Sequence, residues 1–271
     1  MMYLRWVAKS VCSYALLVLG AVFLALECVV WGAISVVLFQ ILPASVGRRI
    51  GRLAAMHFFR LFLATLEMAG AWRLDLSALD RLVHDGALII APNHPGLLDA
   101  VLLVSRLPNA VCVMKASLLN NFLLGPAGRL ARYVRNDTLL RLVSTAGNEL
   151  RLGGQLLLFP EGTRTVGGAV GPFTEAVGAL SRRSGVPVQT VIIETDSQFL
   201  GKGWRNLTRP EFPLHFRMHL GRRFDPPSDV HAFTQELERY FHRELSGRAT
   251  AVALSGPVST QPVENGPHLR G

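Results

Sequence analysis

From Val11 to Pro43 the chain is almost wholly apolar, interrupted by Glu27, Trp31 and Gln40. A single helix that crosses a bilayer needs about 20 such residues. The run is longer than one span requires and shorter than two, so it admits one long tilted helix or a shallow helical hairpin turning near Glu27. Basic residues flank it on both sides, Arg5 and Lys9 before it and Arg48, Arg49 and Arg52 after it. The positive-inside rule therefore does not orient it. Equal charge on both flanks favours the hairpin, whose ends return to one face. A signal peptide is disfavoured, because no small-residue cleavage site follows a short apolar core.

The next segment, "SVGRRIGRLAAMHFFRLFLATLEMAG", reads as an amphipathic helix punctuated by Arg48, Arg49, Arg52 and Arg60. It either covers the core or lies in a membrane interface. Residues 1–70 are accordingly expected to form a membrane anchor and an interfacial helix.

Composition agrees with a membrane-attached globular domain. Half of the 271 residues are hydrophobic, 17% are charged and the mean hydropathy is +0.32. That is too apolar for an ordinary soluble enzyme and too mixed for a polytopic membrane protein. The length suits one α/β domain with appendages. The formal charge is +9, and only Lys9, Lys115 and Lys202 among 28 basic residues are lysines. Arginine grips phosphate bidentately. Nucleic acid is an unfavoured partner, because the arginines are scattered and no RGG tract, zinc-finger spacing or RNP-like motif occurs. Acidic lipid suits the apolar N-terminus better. Cys12, Cys28 and Cys112 all lie in apolar runs and form no CxxC pair, which points to a reducing, cytosol-facing domain.

From about Gly86 the texture is α/β. The runs "ALIIAP", "AVCVMKA", "QLLLFP" and "VPVQTVII" are short, continuous and apolar, as in strands buried on both faces. Helical stretches near 97–107, 138–151 and 173–184 separate them, which predicts a mainly parallel central sheet covered by helices. "HFRMHLGRRF" alternates as a half-exposed strand, and 229–245 reads as an amphipathic helix. The small, polar, proline-dotted tail after Ser246, residues 247–271, is expected to be disordered.

Two strand ends carry the chemistry. In "APNHPGLLDA", Pro95 pushes His94 toward extended backbone and suits a first helical position, so a helix is expected to begin at His94–Pro95. Five residues along one continuous helix would set His94 and Asp99 about 140° apart. The pair makes sense only with His94 at the strand-to-helix corner, its ring swung back to the carboxylate. There Asp99 fixes the tautomer and His94 is placed as a general base. No GxSxG elbow and no adjacent nucleophile occurs, so the base would act on a substrate hydroxyl. On its own, such a pair is more often a capping contact than a catalytic one. Zinc is disfavoured, since no second histidine or cysteine stands at ligand spacing. In "LLLFPEGTRT" a second buried strand runs into a turn with Glu161, Gly162, Thr163 and Arg164. Gly162 allows close backbone approach, and Arg164 with the neighbouring amides is suited to phosphate. Lys115, also at a strand end, is either solvated or a phosphate contact. Arg129 and Arg132 read as a solvated or membrane-facing patch.

Together, "NHPGLLD" and "FPEGTR" resemble the first and third signature blocks of the glycerolipid acyltransferase family, of the 1-acylglycerol-3-phosphate (lysophosphatidic acid) acyltransferase type. The resemblance covers roughly residues 85–225. The second block resembles "GRLARYVRND", with Arg135 at the family's arginine and Val134 where an aspartate is usual. The fourth appears as "VPVQTV", with Thr190 in place of a second proline, and Glu175–Ala176 replace a basic residue and glycine. The resemblance implies that residues 71–246 are an acyltransferase domain with His94 as base and Asp99 as its orienter. Arg135, Glu161, Gly162, Thr163 and Arg164 would bind the acceptor's phosphate and glycerol portion, Glu161 by orienting an arginine or meeting a glycerol hydroxyl. The donor would be acyl-CoA or acyl carrier protein and the acceptor a lysophospholipid, with membrane lipid as partner and no metal or bound cofactor. The altered blocks leave open a lyso-ornithine or other aminoacyl lipid, or a specialised polyketide-like product. An idle lipid-binding protein is the reading from another class. The expected location is a membrane, with the site facing the cytoplasm.

Overall fold

The computed structural model describes residues 2–165, 170–197, 199, 201 and 210–254, excluding the side chains of residues 2–10 and 248–254. Helix α1 (Met2–Ile41) is one continuous helix. The hairpin alternative fails, because nothing near Glu27 breaks the backbone; the reversal comes instead at Leu42–Pro43, where α2 (Ala44–Met68) begins. Between Val11 and Ile41, α1 is long and apolar enough to cross a membrane. It nevertheless packs along its own domain. Trp31 meets Phe58 of α2 at 5.4 Å between ring centroids, and the Arg132 guanidinium lies 5.1 Å from the centre of the Phe39 ring.

Helix α2 covers the core with Ala55, Phe62, Leu63 and Leu66, so the core-covering reading of this segment holds for its inner face. A β-carbon at Gly51 would come within 2.7 Å of the Ala131 backbone, so glycine lets the helix lie close there. Beside it Arg52 is fully buried. Its guanidinium donates to Glu149 at 2.5 Å, Asn109 at 2.7 Å and the Ala131 carbonyl at 3.1 Å. Arg48 also reaches Glu149, at 2.8 Å. An arginine buried in this way is tolerable only because each face of its fork is paired.

Among the described residues seven strands form one sheet: β1 (Trp72–Asp75), β2 (Leu88–Pro92), β3 (Ala110–Lys115), β4 (Val134–Asn136), β5 (Gln155–Leu157), β6 (Val188–Thr195) and β7 (Leu214–Phe224). Their order is β1-β7-β6-β2-β5-β3-β4. Every pairing is parallel except β6 with β7, so the expected mainly parallel sheet is present. Alternate residues of β2 show the layering. Leu88 and Ile90 join the core under α2 and α3 (Asp99–Val104). Ile89 and Ala91 join the core under α6 (Leu139–Arg151), α7 (Ala176–Ser184) and α8 (Val230–Leu254). Two short helices, α4 (Ala116–Leu119) and α5 (Gly125–Leu130), link β3 to β4.

Two boundaries depart from expectation. Helix α8 runs through Gly247–Leu254, against the disordered tail expected after Ser246; residues 255–271 lie outside the described residues. The helix after β2 starts at Asp99, not at His94–Pro95. Asn93 explains part of that delay. Its side chain accepts from the Ile193 N–H at 2.7 Å and donates to the Ile193 carbonyl at 3.0 Å. In this way the loop extends the β2–β6 ladder for one more residue before it can turn.

Candidate active site

His94 leaves the carboxyl end of β2, where open parallel sheets form their crevices. Its Nδ1 lies 2.8 Å from Oδ2 of Asp99, and the same oxygen accepts the Gly96 N–H at 2.7 Å. With Asp99 ionised, Oδ2 accepts from the ring as well as from the Gly96 amide, which places the ring proton on Nδ1. Nε2 is thereby left with its lone pair to take a proton. Burial raises the Asp99 carboxyl pKa above its ordinary value, while the bonds from His94 and Gly96 oppose that rise. The ring stacks on Phe159, with centroids 3.9 Å apart. Packing on one side and a carboxylate at one end fix its orientation.

The second corner closes onto the first. The Thr165 N–H donates to the His94 carbonyl at 2.7 Å, and the His94 N–H donates to Oε1 of Glu161 at 3.1 Å. Glu161 is itself buried, and its carboxylate also accepts the Thr165 hydroxyl at 2.8 Å and the Gly171 N–H at 3.1 Å. These donors occupy it, and none of them is an arginine. The expectation that Glu161 orients an arginine is therefore corrected. Its charge is spent on holding the histidine loop against the turn, a role invisible in sequence because its partners are backbone amides. Gly162 has φ of +64°, a backbone conformation glycine adopts freely, and it lets the turn fold back within two residues. Thr163 is exposed beside it. Arg164 is half-buried and donates to the Gly201 carbonyl at 3.3 Å.

Arg135 is not brought to this corner. It lies on β4, three strand spacings from β2, about 14 Å at ~4.8 Å each. Its Nε donates to Asp137 at 2.6 Å, which lowers the Asp137 pKa. Lys115 is exposed on the same rim of the sheet. Of the expected solvated or membrane-facing pair, Arg129 is exposed and also donates to the Leu119 carbonyl, whereas Arg132 is half-buried over Phe39 of α1.

The unusual positions in the signature blocks stand away from His94. Val134 is buried in β4. The Thr190 hydroxyl donates to the Arg222 carbonyl at 2.8 Å, and the Arg222 N–H donates to the Tyr240 hydroxyl at 2.9 Å. The β6–β7 register slips between Gln189 and Val191, so these two side chains satisfy the backbone groups freed by the irregularity. Glu175 is exposed and pairs with His231.

A profile of the Acyltransferase family matches residues 73–194, a span that contains both corners. Residues 73–194 are thus similar to the Acyltransferase family. The chain is 25% identical over 193 residues to a 1-acyl-sn-glycerol-3-phosphate acyltransferase of Pseudomonas aeruginosa, covering 69% of this chain and 74% of that one. It is 23% identical over 157 residues to a chloroplastic 1-acyl-sn-glycerol-3-phosphate acyltransferase of Brassica napus. That match covers 54% of this chain but only 44% of the plant protein's length. The crystal structure of the 1-acyl-sn-glycerophosphate acyltransferase PlsC from Thermotoga maritima shares the fold, with a TM-score of 0.63 at 17% identity. The superposition covers 92% of this chain and 98% of that one.

Proposed function

We propose that this acyltransferase moves a fatty acyl group from an acyl thioester, on CoA or acyl carrier protein, to the free hydroxyl of 1-acylglycerol-3-phosphate, giving phosphatidate. The observation that carries the reading is the single unit formed by His94, Asp99 and the Glu161–Arg164 turn. Nε2 of His94 takes the proton from the acceptor hydroxyl as its oxygen attacks the thioester carbonyl. Asp99 stabilises the imidazolium that forms. The tetrahedral intermediate collapses with cleavage of the carbon–sulfur bond, and His94 returns the proton to the departing thiolate. Proton, acyl group and thiol all balance, and the thioester itself supplies the activation. Arg164 and the amides of its turn are suited to the acceptor's phosphate. Arg135 is assigned to the same substrate more distantly, and reaches it only by releasing Asp137.

The acceptor is membrane-borne, and α1 is the element suited to meet it. The domain packs on one side of α1 from Leu16 to Phe39, while Val18, Leu19, Val22, Leu26, Val29 and Val30 are exposed on it. We read α1 as seated in the leaflet that faces the domain, with the site on the cytoplasmic side where thioester donors occur.

The test is thiol release from acyl-CoA and from acyl carrier protein, by detergent-solubilised protein, across a panel of acceptors. Release that requires 1-acylglycerol-3-phosphate supports the proposal. Release only with a phosphate-free acceptor, such as a lyso-ornithine lipid, overturns the acceptor assignment, and no release with any acceptor overturns the activity.

A further inference from the structure

Single apolar side chains on a protein surface are ordinary, whereas a cluster of them marks a contact. After α2, seven large apolar side chains are exposed among the described residues, and one of these, Leu152, stands alone at the end of α6. The other six share the rim at the carboxyl ends of β2, β3 and β4, where His94 lies. Leu97 belongs to the His94 loop; Leu118, Phe122 and Leu124 follow β3; Leu139 and Leu140 open α6 after β4. Lys115 of β3 pairs with Asn136 of β4, so the latter two groups emerge side by side. Phe122 is 81% exposed and Leu140 87%.

Charge and continuity say what covers this surface. Residues 115–141 carry Lys115, Arg129, Arg132, Arg135 and Arg141 against the single acid Asp137. Arg135 and Arg141 both reach Asp137, so one carboxylate serves two guanidiniums and the rim keeps a positive excess. The link that bears Phe122 rests on α1, where a β-carbon at Gly32 would come within 3.0 Å of the Leu123 carbonyl. The apolar rim thus abuts α1, whose outer side carries exposed apolar residues of its own.

We propose that this rim is a second membrane-docking surface, fitted to a leaflet that carries anionic phospholipid. Phe122 and Leu140 enter the acyl-chain boundary, and Lys115 and Arg141 lie at the phosphates. The site then opens onto the leaflet, and an acceptor lipid reaches His94 without passing through bulk water. The proposal rests on the lipid acceptor assigned above, but its test needs no turnover.

The experiment places an environment-sensitive thiol label at Phe122→Cys, or separately at Leu140→Cys, in full-length protein carrying Cys12→Ser and Cys28→Ser. Leu152→Cys serves as the reference position. Protein is floated with vesicles of phosphatidylcholine containing phosphatidylglycerol, and iodide quenching is read in the floated fraction. Expected is a severalfold loss of quenching at 122 and 140 with none at 152, weaker on phosphatidylcholine alone. Flotation with all three labels equally quenched would overturn the rim as a docking surface while leaving the acyltransferase reading intact. Failure to float would overturn this proposal and the membrane reading of α1 together. Shielding at 122 that grows with protein concentration in the absence of vesicles would assign the surface to a second copy of the chain.

Discussion

The backbone N–H of Thr165 donates to the carbonyl of His94 at 2.7 Å, so the turn after β5 is stitched to the loop after β2. Glu161 completes the stitch from below by accepting the His94 N–H. The histidine is therefore positioned from both sides, by Asp99 at its ring and by the turn at its backbone.

Glu161→Gln tests the positioning role. It replaces a carboxylate by a group with one acceptor oxygen and an unwanted donor, and a hydrogen bond to a charged group contributes about 1.5–3 kcal/mol. The expected result is a fall in kcat of about 10- to 150-fold with little change in the acceptor KM. If Glu161 instead met a glycerol hydroxyl, the acceptor KM would rise while kcat held.

Arg164→Ala is expected to raise the acceptor KM and leave the donor KM unchanged, since the side chain belongs to the turn that faces His94. Arg135→Ala should have the smaller effect of the two, because Arg135 is held by Asp137 three strands away. Steady-state kinetics with each substrate varied separately decides both. An effect of Arg164→Ala confined to the donor would contradict the assignment.

Asp99→Asn separates catalysis from stability. Loss of the orienting carboxylate should lower kcat by roughly 10³–10⁴. Burial raises the Asp99 pKa in the folded protein. The folded state then holds the proton more tightly than the unfolded chain, so this group's contribution is fully present at low pH. It is lost as pH climbs from the ordinary carboxyl range through the raised value. Thermal melts against pH should show wild type losing stability relative to Asp99→Asn across that window. A wild type that gains on the variant with rising pH would reverse the sign.

Arg52→Met leaves Glu149 buried with Arg48 alone. Breaking a buried ion pair in this way costs about 3–5 kcal/mol, so chemical denaturation should show a loss of that order. Arg48→Met should lose clearly less, because Arg48 is partly exposed and leaves Glu149 its contact with Arg52.

Much of this architecture can be read from residues alone, for physical reasons. Strands β2, β3, β5 and β6 stand inside the sheet, so both faces are buried and their sequences are continuous apolar runs. Strands β1 and β4 have four and three residues at the edges, too few to show a period. The start of α3 was displaced because Asn93 and Glu161 hold the loop extended through tertiary contacts that no local propensity encodes. Symmetric charge around the N-terminal run favoured a hairpin, yet the backbone turns only at Pro43, where a proline fits the start of the next helix. The pairing of His94 with Asp99 is legible because it is made by side chains whose chemistry the sequence displays. The part played by Glu161 was hidden, since its partners are amides.

The most direct measurement is thiol release with 1-acylglycerol-3-phosphate by wild type and by His94→Ala, matched for fold by circular dichroism. The role of His94 as base requires that the variant fold as wild type does and lose on the order of 10²–10⁴ in rate, the contribution of a positioned general base. A folded His94→Ala protein that turns over at the wild-type rate would contradict it.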